Sequence, residues 1–222
     1  HGALLDAMAQ FMEGRFLRAR KSAELVLVRE KSLSDSGEIL EHAGALRCVA
    51  HILAAESAHA LHDKVTRQSH LDQALQEPAG GFANLRQSLM EGSMLRAARW
   101  ALDDRDASES LLWLDRLPLG VSRRTLAMRL RLKAARLAGE SSQALDTALL
   151  LIKHRAFATE AAESMIRSLV FELISKTHES GQMQRLWTRL GEAQHARDAR
   201  IGRAKRIGNR LRAAAGEQAR YS

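Results

Sequence analysis

The stretch Leu89–Leu151, LMEGSMLRAARWALDDRDASESLLWLDRLPLGVSRRTLAMRLRLKAARLAGESSQALDTALLL, decides the fold. It reads as two helical hairpins in tandem. Leu95–Leu102 forms a helix, Asp103–Asp106 turns, and Ala107–Leu117 returns. Leu126–Leu137 forms the next helix, Gly139–Ser141 turns, and Ser142–Leu151 returns. Laying Arg105 over Gly139 shifts one hairpin onto the other by 34 positions. Met94 then falls on Met128, Ala101 on Ala135, Asp106 on Glu140, Ser110 on Ala144 and Leu117 on Leu151. Small residues thus recur where two helices must cross closely. Ala148 belongs to the same set.

A period of about 34 residues with small residues at the crossings is the signature of tetratricopeptide arrays. The expected fold is all-α, a tetratricopeptide-like right-handed superhelix of about five antiparallel helix pairs. Composition agrees, because two prolines and 4% aromatic residues are too few for a β-sandwich or barrel. Ala, Leu, Arg, Glu and Gln, all strong helix formers, dominate.

Outward from the centre, the pattern continues in both directions as a single array over residues 1–222. Its approximate hairpins are 3–29, 38–75, 82–117, 121–154 and 158–191, with another unit starting at 198–222. The first hairpin turns at Gly14, and Ala19, Ala23 and Val26 mark close approach on its returning helix. Ser32–Ser36 reads as a loop. A long helix over Glu38–Leu61 follows, His62-Asp63 turns, and Val65–Leu75 returns. Pro78 and Gly80-Gly81 break the chain, after which helical periodicity resumes at Phe82–Leu89. Ala158–Lys176 is a helix with Ala162, Met165, Leu169, Val170 and Leu173 inward, and Gln184–Leu190 returns. Asp198–Ala215 is a basic helix before Gly216. One hairpin cannot bury its apolar face alone, so each stacks on its neighbours. The face Leu4, Met8, Phe11 and Met12 is expected to be core, covered by preceding chain, or a partner-helix site if exposed.

The net charge is +8 and the isoelectric point about 10.3. That balance suits anionic partners, or simply solvated helix faces rich in Arg. Nucleic-acid binding by a helical repeat ranks third among the functions, because aromatics do not interleave the basic residues and no reading helix is evident. Cys48 is alone, which excludes a disulfide framework and a CxxC metal site, and it reads as a buried structural thiol. No run of about 18 apolar residues is long enough to span a bilayer. The chain opens His1-Gly2 without Met, as after cleavage or cloning, and a longer natural chain is expected at both ends.

Four segments carry a family resemblance. They are the opening Ala7–Phe16, which ends AQFMEGRF and is followed by Ala19; Leu53–Ala60, LAAESAHA; Leu111–Leu117, LLWLDRL, with Arg123–Leu132, RRTLAMRLRL; and Leu186–Leu190, LWTRL, before Asp198. In this order they resemble the HemY family of proteobacteria, tetratricopeptide proteins tied to haem and porphyrin metabolism. The resemblance implies an inner-membrane protein whose membrane-spanning helices lie outside this chain, with this anterior soluble part facing the cytoplasm. It also implies a non-enzymatic scaffold that gathers enzymes of late haem biosynthesis on a concave surface. The alternative is a carrier binding haem or a porphyrin directly. The flavin-dependent oxidase that shares the HemY name is excluded, because no GxGxxG follows a strand here.

Candidate sites follow from spacing. With Gly139 as the turn glycine, the concave positions of the preceding helix fall on Arg129, Lys133 and Arg136. These are spaced four and three apart and share one helix face. The corresponding basic residue before Arg105 is Arg99, and those before Gly216 are Arg203, Arg206 and Arg210. Such rows suit carboxylates, either acidic protein segments or porphyrin propionates. His51, His59 and His62 are expected on one helical face and are the candidate haem contacts, since His is a common axial ligand. Haem is the one cofactor in view. His42 and His70 complete the cluster. Glu38, Glu41 and Glu56, with Asp103, Asp104 and Asp106, read as structural carboxylates. Nothing pairs them with a nucleophile or a metal-binding His pattern, so no catalytic residue is assigned.

Overall fold

The computed structural model describes residues 2–35, 42–77, 83–176 and 207. Among them the regular structure is helical throughout, with no strand. The helices are α1 (Gly2–Met12), α2 (Phe16–Asp35), α3 (Ala43–Ala60), α4 (Lys64–Gln76), α5 (Ala83–Asp103), α6 (Ala107–Asp115), α7 (Leu119–Ser122), α8 (Thr125–Leu137), α9 (Ser141–Lys153) and α10 (Thr159–Lys176). The chain divides into two compact units, residues 1–104 with 112–117, and residues 105–111 with 118–222.

The first unit is built around α3, which packs against α1, α2, α4 and α5. Its sequence explains that centrality. Ala50, Ala54, Ala55, Ser57 and Ala58 are all buried, and small side chains let several helices approach one axis. Leu4, Val26 and Ala50 form one apolar cluster with Leu46, Val49 and Leu53 against it, and Ala7, Ala23 and Ala54 form another. In the second unit α9 packs between α8 and α10. Its core joins Met128, Leu132 and Ala135 of α8, Ala144, Leu145, Ala148 and Leu151 of α9, and Ile166, Leu169, Val170 and Ile174 of α10. Of the positions expected inward on α10, Ala162, Leu169 and Val170 are buried, while Met165 and Leu173 lie half-buried against that core.

The hairpin turns share one backbone device. Gly14, His62, Arg105 and Gly139 all adopt positive φ, at 75°, 58°, 64° and 75°. At Gly139 the amide donates to the Arg136 carbonyl (3.2 Å) and the Glu140 amide to the Ala135 carbonyl (2.8 Å). Gly14 and His62 repeat this, with Arg15 reaching Gln10 (2.8 Å) and Asp63 reaching Ala58 (2.9 Å). These paired bonds close the last helical turn and use carbonyls that would otherwise be orphaned. Arg155, at φ 54°, does the same between α9 and α10. The next residue often caps the returning helix. Asp63 accepts from the Thr66 amide (3.1 Å), and Asp106 from the Glu109 amide (2.8 Å). The bonds from Thr66, with Arg20 beside it, hold the Asp63 carboxyl below the ordinary carboxylate range.

Several boundaries differ from the sequence reading. Ser32–Ser36 is no loop up to Asp35, because α2 runs on to that residue. Serines do not stop a helix when no Gly or Pro occurs before Gly37. Phe82–Leu89 and Leu95–Leu102 are not separate helices. From Ala83 they form one 21-residue helix, α5, through the half-buried Gly92. The helix expected over Glu38–Leu61 is seen from Ala43 to Ala60, and Glu38 and Glu41 lie outside the described residues. Pro118-Leu119-Gly120, read as a joint, opens the short helix α7. The hairpin 158–191 is described only as α10, and the unit 198–222 only at Ile207.

Candidate partner-binding surfaces

Helix α8 is amphipathic at strict spacing. Met128, Leu132 and Ala135 enter the core, and Arg129, Lys133 and Arg136 stand exposed on one face. Arg129 is anchored at the end of this row. Its Nη2 donates to the Ala156 carbonyl (2.6 Å), and its guanidinium lies 5.6 Å from the Phe157 ring centroid. Lys133 has no carboxylate partner among the described residues. Arg136 lies near Glu172. The Glu172 carboxyl sits below the usual range, chiefly through its bond from Lys176 (2.6 Å), then through Ser141, with Arg136 and Lys176 adding their charge. The row therefore presents three cations, and Glu172, the acid beside Arg136, is already engaged by Lys176. Like charges at this spacing cost a few tenths of a kcal/mol per pair on an isolated helix, a deficit that an anionic partner relieves.

Arg99 belongs to a different constellation, in the first unit. Glu56 is buried on α3 and accepts from Arg99 Nη2 (2.9 and 3.1 Å), from Arg96 Nη1 and from Trp100 Nε1 (3.0 Å). The Arg96 and Arg99 side chains remain about half exposed, at 46% and 51%. Sequence reasoning singled out Arg99 and read Glu56 as a structural carboxylate, but it named neither Arg96 nor Trp100 and did not pair Glu56 with any of them. The signal was a single Glu inside the small-residue run LAAESAHA, opposite Arg, Arg and Trp at positions 96, 99 and 100. A lone carboxylate in a helix face made of Ala must be paired when that face is buried.

The three candidate haem contacts are not brought together. His62 is not on the helix at all. It is exposed in the positive-φ turn beyond α3, because the chain needs a left-handed residue there. His59 is engaged at both ring nitrogens. Arg67 Nη1 lies 2.9 Å from Nδ1, and since arginine only donates, that nitrogen accepts and Nε2 carries the proton toward Asp103 (3.2 Å). Arg67 also donates to Asp104 (2.7 Å) and lies 5.8 Å from the Trp100 ring centroid. Lys64 and Arg67 together hold the Asp104 carboxyl below its ordinary range despite partial burial. His51 is buried, with its Nδ1 3.0 Å from that of His70 and its Nε2 3.9 Å from Glu77. Both ring nitrogens of His59 and the Nδ1 of His51 are thus engaged within the fold, and the three histidines are not gathered around a common ligand. Cys48 is buried as expected, and burial raises its thiol pKa.

Arg203, Arg206 and Arg210 lie outside the described residues. Among the described residues no group of three metal-ligating side chains converges, and no helix is long and apolar enough to cross a membrane. No protein-family model, no curated protein and no solved structure matches this chain.

Proposed function

We propose that the chain is a non-enzymatic scaffold of late haem biosynthesis, a tetratricopeptide-like right-handed superhelix of the HemY type that holds partner proteins on its concave face. The observation that carries this reading is the exposed row Arg129, Lys133 and Arg136, whose like charges on one helix face suit an anionic partner. Two features support the array. Arg105 and Gly139, 34 positions apart, adopt the same left-handed turn, and Ala135, Ala144 and Ala148 lie buried at the contact of α8 and α9. In the full-length protein this part would face the cytoplasm from an inner-membrane anchor, and its partners would be haem-biosynthesis enzymes with acidic segments.

The test is a cross-linked pull-down from membranes, comparing the wild type with the variant Arg129→Glu, Lys133→Glu, Arg136→Glu. The enzymes of late haem synthesis should be recovered with the wild type at low salt. They should be lost from the variant and released by salt from the wild type, while helicity is unchanged. Recovery that is indifferent to both would refute the scaffold reading. A haemin titration separates the carrier alternative, because a saturable Soret shift would favour it.

A further inference from the structure

The first unit carries a second surface, remote in sequence from the α8 row. Met8, Phe11 and Met12 of α1 and Ile52 and Leu53 of α3 line an apolar recess of about 210 Å³, and Arg96 of α5 closes its polar end beside Glu56. Met12 is 84% exposed and Met8 44%, so the recess opens to solvent with its apolar lining uncovered among the described residues. Phe11 is held edge-on against Phe16, with centroids 5.4 Å apart. We propose that this recess is an anchor pocket for an acidic amphipathic segment of a partner protein. One large apolar side chain enters it, and a carboxylate about one helical turn away binds the outward N–H groups of Arg96 and Arg99.

Size, charge and preorganisation point to that occupant. The recess is smaller than the 300–1,000 Å³ typical of drug-sized ligand pockets, and matches one or two bulky side chains. Its polar end combines one carboxylate, Glu56, with two guanidiniums, a formal surplus of one positive charge. Each guanidinium has five N–H donors and spends only part of them on Glu56, and both side chains remain half exposed. Glu56, itself bonded by Trp100, fixes the two guanidiniums before any partner arrives, so little side-chain entropy remains to be lost on binding. Methionines at the mouth are unbranched and polarisable, and adapt to different apolar side chains. An amphipathic helix that lays apolar anchors at i, i+3 and i+4 into a hydrophobic groove is a recurring mode of peptide recognition.

The probe is a displayed library of random 12-residue peptides panned against the full chain. The expected result is enrichment of sequences with Asp or Glu three or four positions from Leu, Ile, Phe or Met. A selected peptide, followed by fluorescence anisotropy, should bind the wild type saturably. It should bind Met12→Glu at least tenfold more weakly, and Arg99→Gln about fivefold more weakly. Binding should be unchanged in the variant with Arg129, Lys133 and Arg136 reversed to Glu, which separates this pocket from the α8 row. Met12 is exposed, so Met12→Glu should keep the wild-type melting temperature. No enriched sequence, enrichment of basic sequences, or full affinity in Met12→Glu would overturn the proposal. So would Met12-dependent sedimentation with phosphatidylglycerol vesicles when no peptide is selected, because the occupant would then be a lipid surface.

Discussion

His51 of α3 and His70 of α4 face each other through their Nδ1 atoms, 3.0 Å apart, with the rings nearly buried. One Nδ1 must carry the proton and the other accept it, so the contact requires at least one neutral imidazole. Around the pair stand Arg47 and Glu77 on the His51 side, and Glu24, Arg20 and Asp63 on the His70 side. Burial, then His70 and Arg47, push the His51 pKa down from 6.5 to about 4. Burial also lowers that of His70, against the pull of Glu24.

Acid should therefore loosen the α3–α4 hairpin. Between about pH 6.5 and pH 4 the unfolded chain binds more protons at these positions than the folded one, so stability rises with pH across that window and falls as pH is lowered through it. Chemical denaturation at pH 7.5, 5.5 and 4.5 should show a loss of about 2 kcal/mol toward the acid end, at about 1.4 kcal/mol per unit of pKa displacement. His51→Gln should flatten that dependence whatever it does to stability at pH 7.5. A wild-type profile that is level from pH 7.5 to 4.5 would contradict the geometry.

Glu56 pairs with two guanidiniums from a buried position. Glu56→Ala leaves Arg96, Arg99 and the Trp100 N–H without their acceptor. Removing one member of a buried charge cluster costs about 3–5 kcal/mol, and the half-exposed arginines recover part of this by hydration, so about 2–3 kcal/mol is expected. Glu56→Gln should cost less, since a carbonyl oxygen still accepts. Urea midpoints of the two variants check the order, and Trp100 supplies a fluorescence readout.

Ser110 and Ala144 fall on one another at the 34-residue offset of the sequence, and both are fully buried. The Ser110 hydroxyl has no hydrogen-bond partner among the described residues. Ser110→Ala should therefore raise stability by about 1 kcal/mol, by removing an uncompensated buried hydroxyl. Ala144→Leu should lower it by about 1–3 kcal/mol, because the core of α8, α9 and α10 has no room for the extra atoms. Thermal denaturation of the two variants should move in opposite directions.

Arg105 and Gly139 test the shared turn from opposite sides. A Cβ on Gly139 would meet nothing within 4 Å, so the cost of Gly139→Ala is backbone strain alone, about 1 kcal/mol. Arg105→Gly relieves the same strain, less the entropy glycine returns to the unfolded chain, and should stabilise by up to about 1 kcal/mol. Equal midpoints for Gly139→Ala and the wild type would show that the turn is not left-handed in solution.

Much of the architecture was legible in residue order. The alignment of Arg105 with Gly139 came from small residues and turn chemistry alone, and the two positions share one backbone conformation. Helices α8, α9 and α10 were read to within two residues, because each carries an unbroken apolar period bounded by turn residues. The site was less legible. Arg129, Lys133 and Arg136 follow from helical spacing, whereas the fates of Arg99, His51, His59 and His62 depend on partners 8 to 44 positions away, or on a turn conformation.

By itself, then, the sequence determined what is local: all-helical structure, the turn positions, and which face of each helix is apolar. Those depend on contacts three or four residues apart and on the backbone preferences of single residues. Only the tertiary structure decided which charged groups meet. It set Glu56 beneath Arg96, Arg99 and Trp100, turned His51 onto His70, and left the α8 row and the Met8–Met12 recess open. Whether a cation binds a partner or neutralises a buried acid depends on which helix lies across from it, and helices placed side by side by apolar burial carry no local code for that pairing.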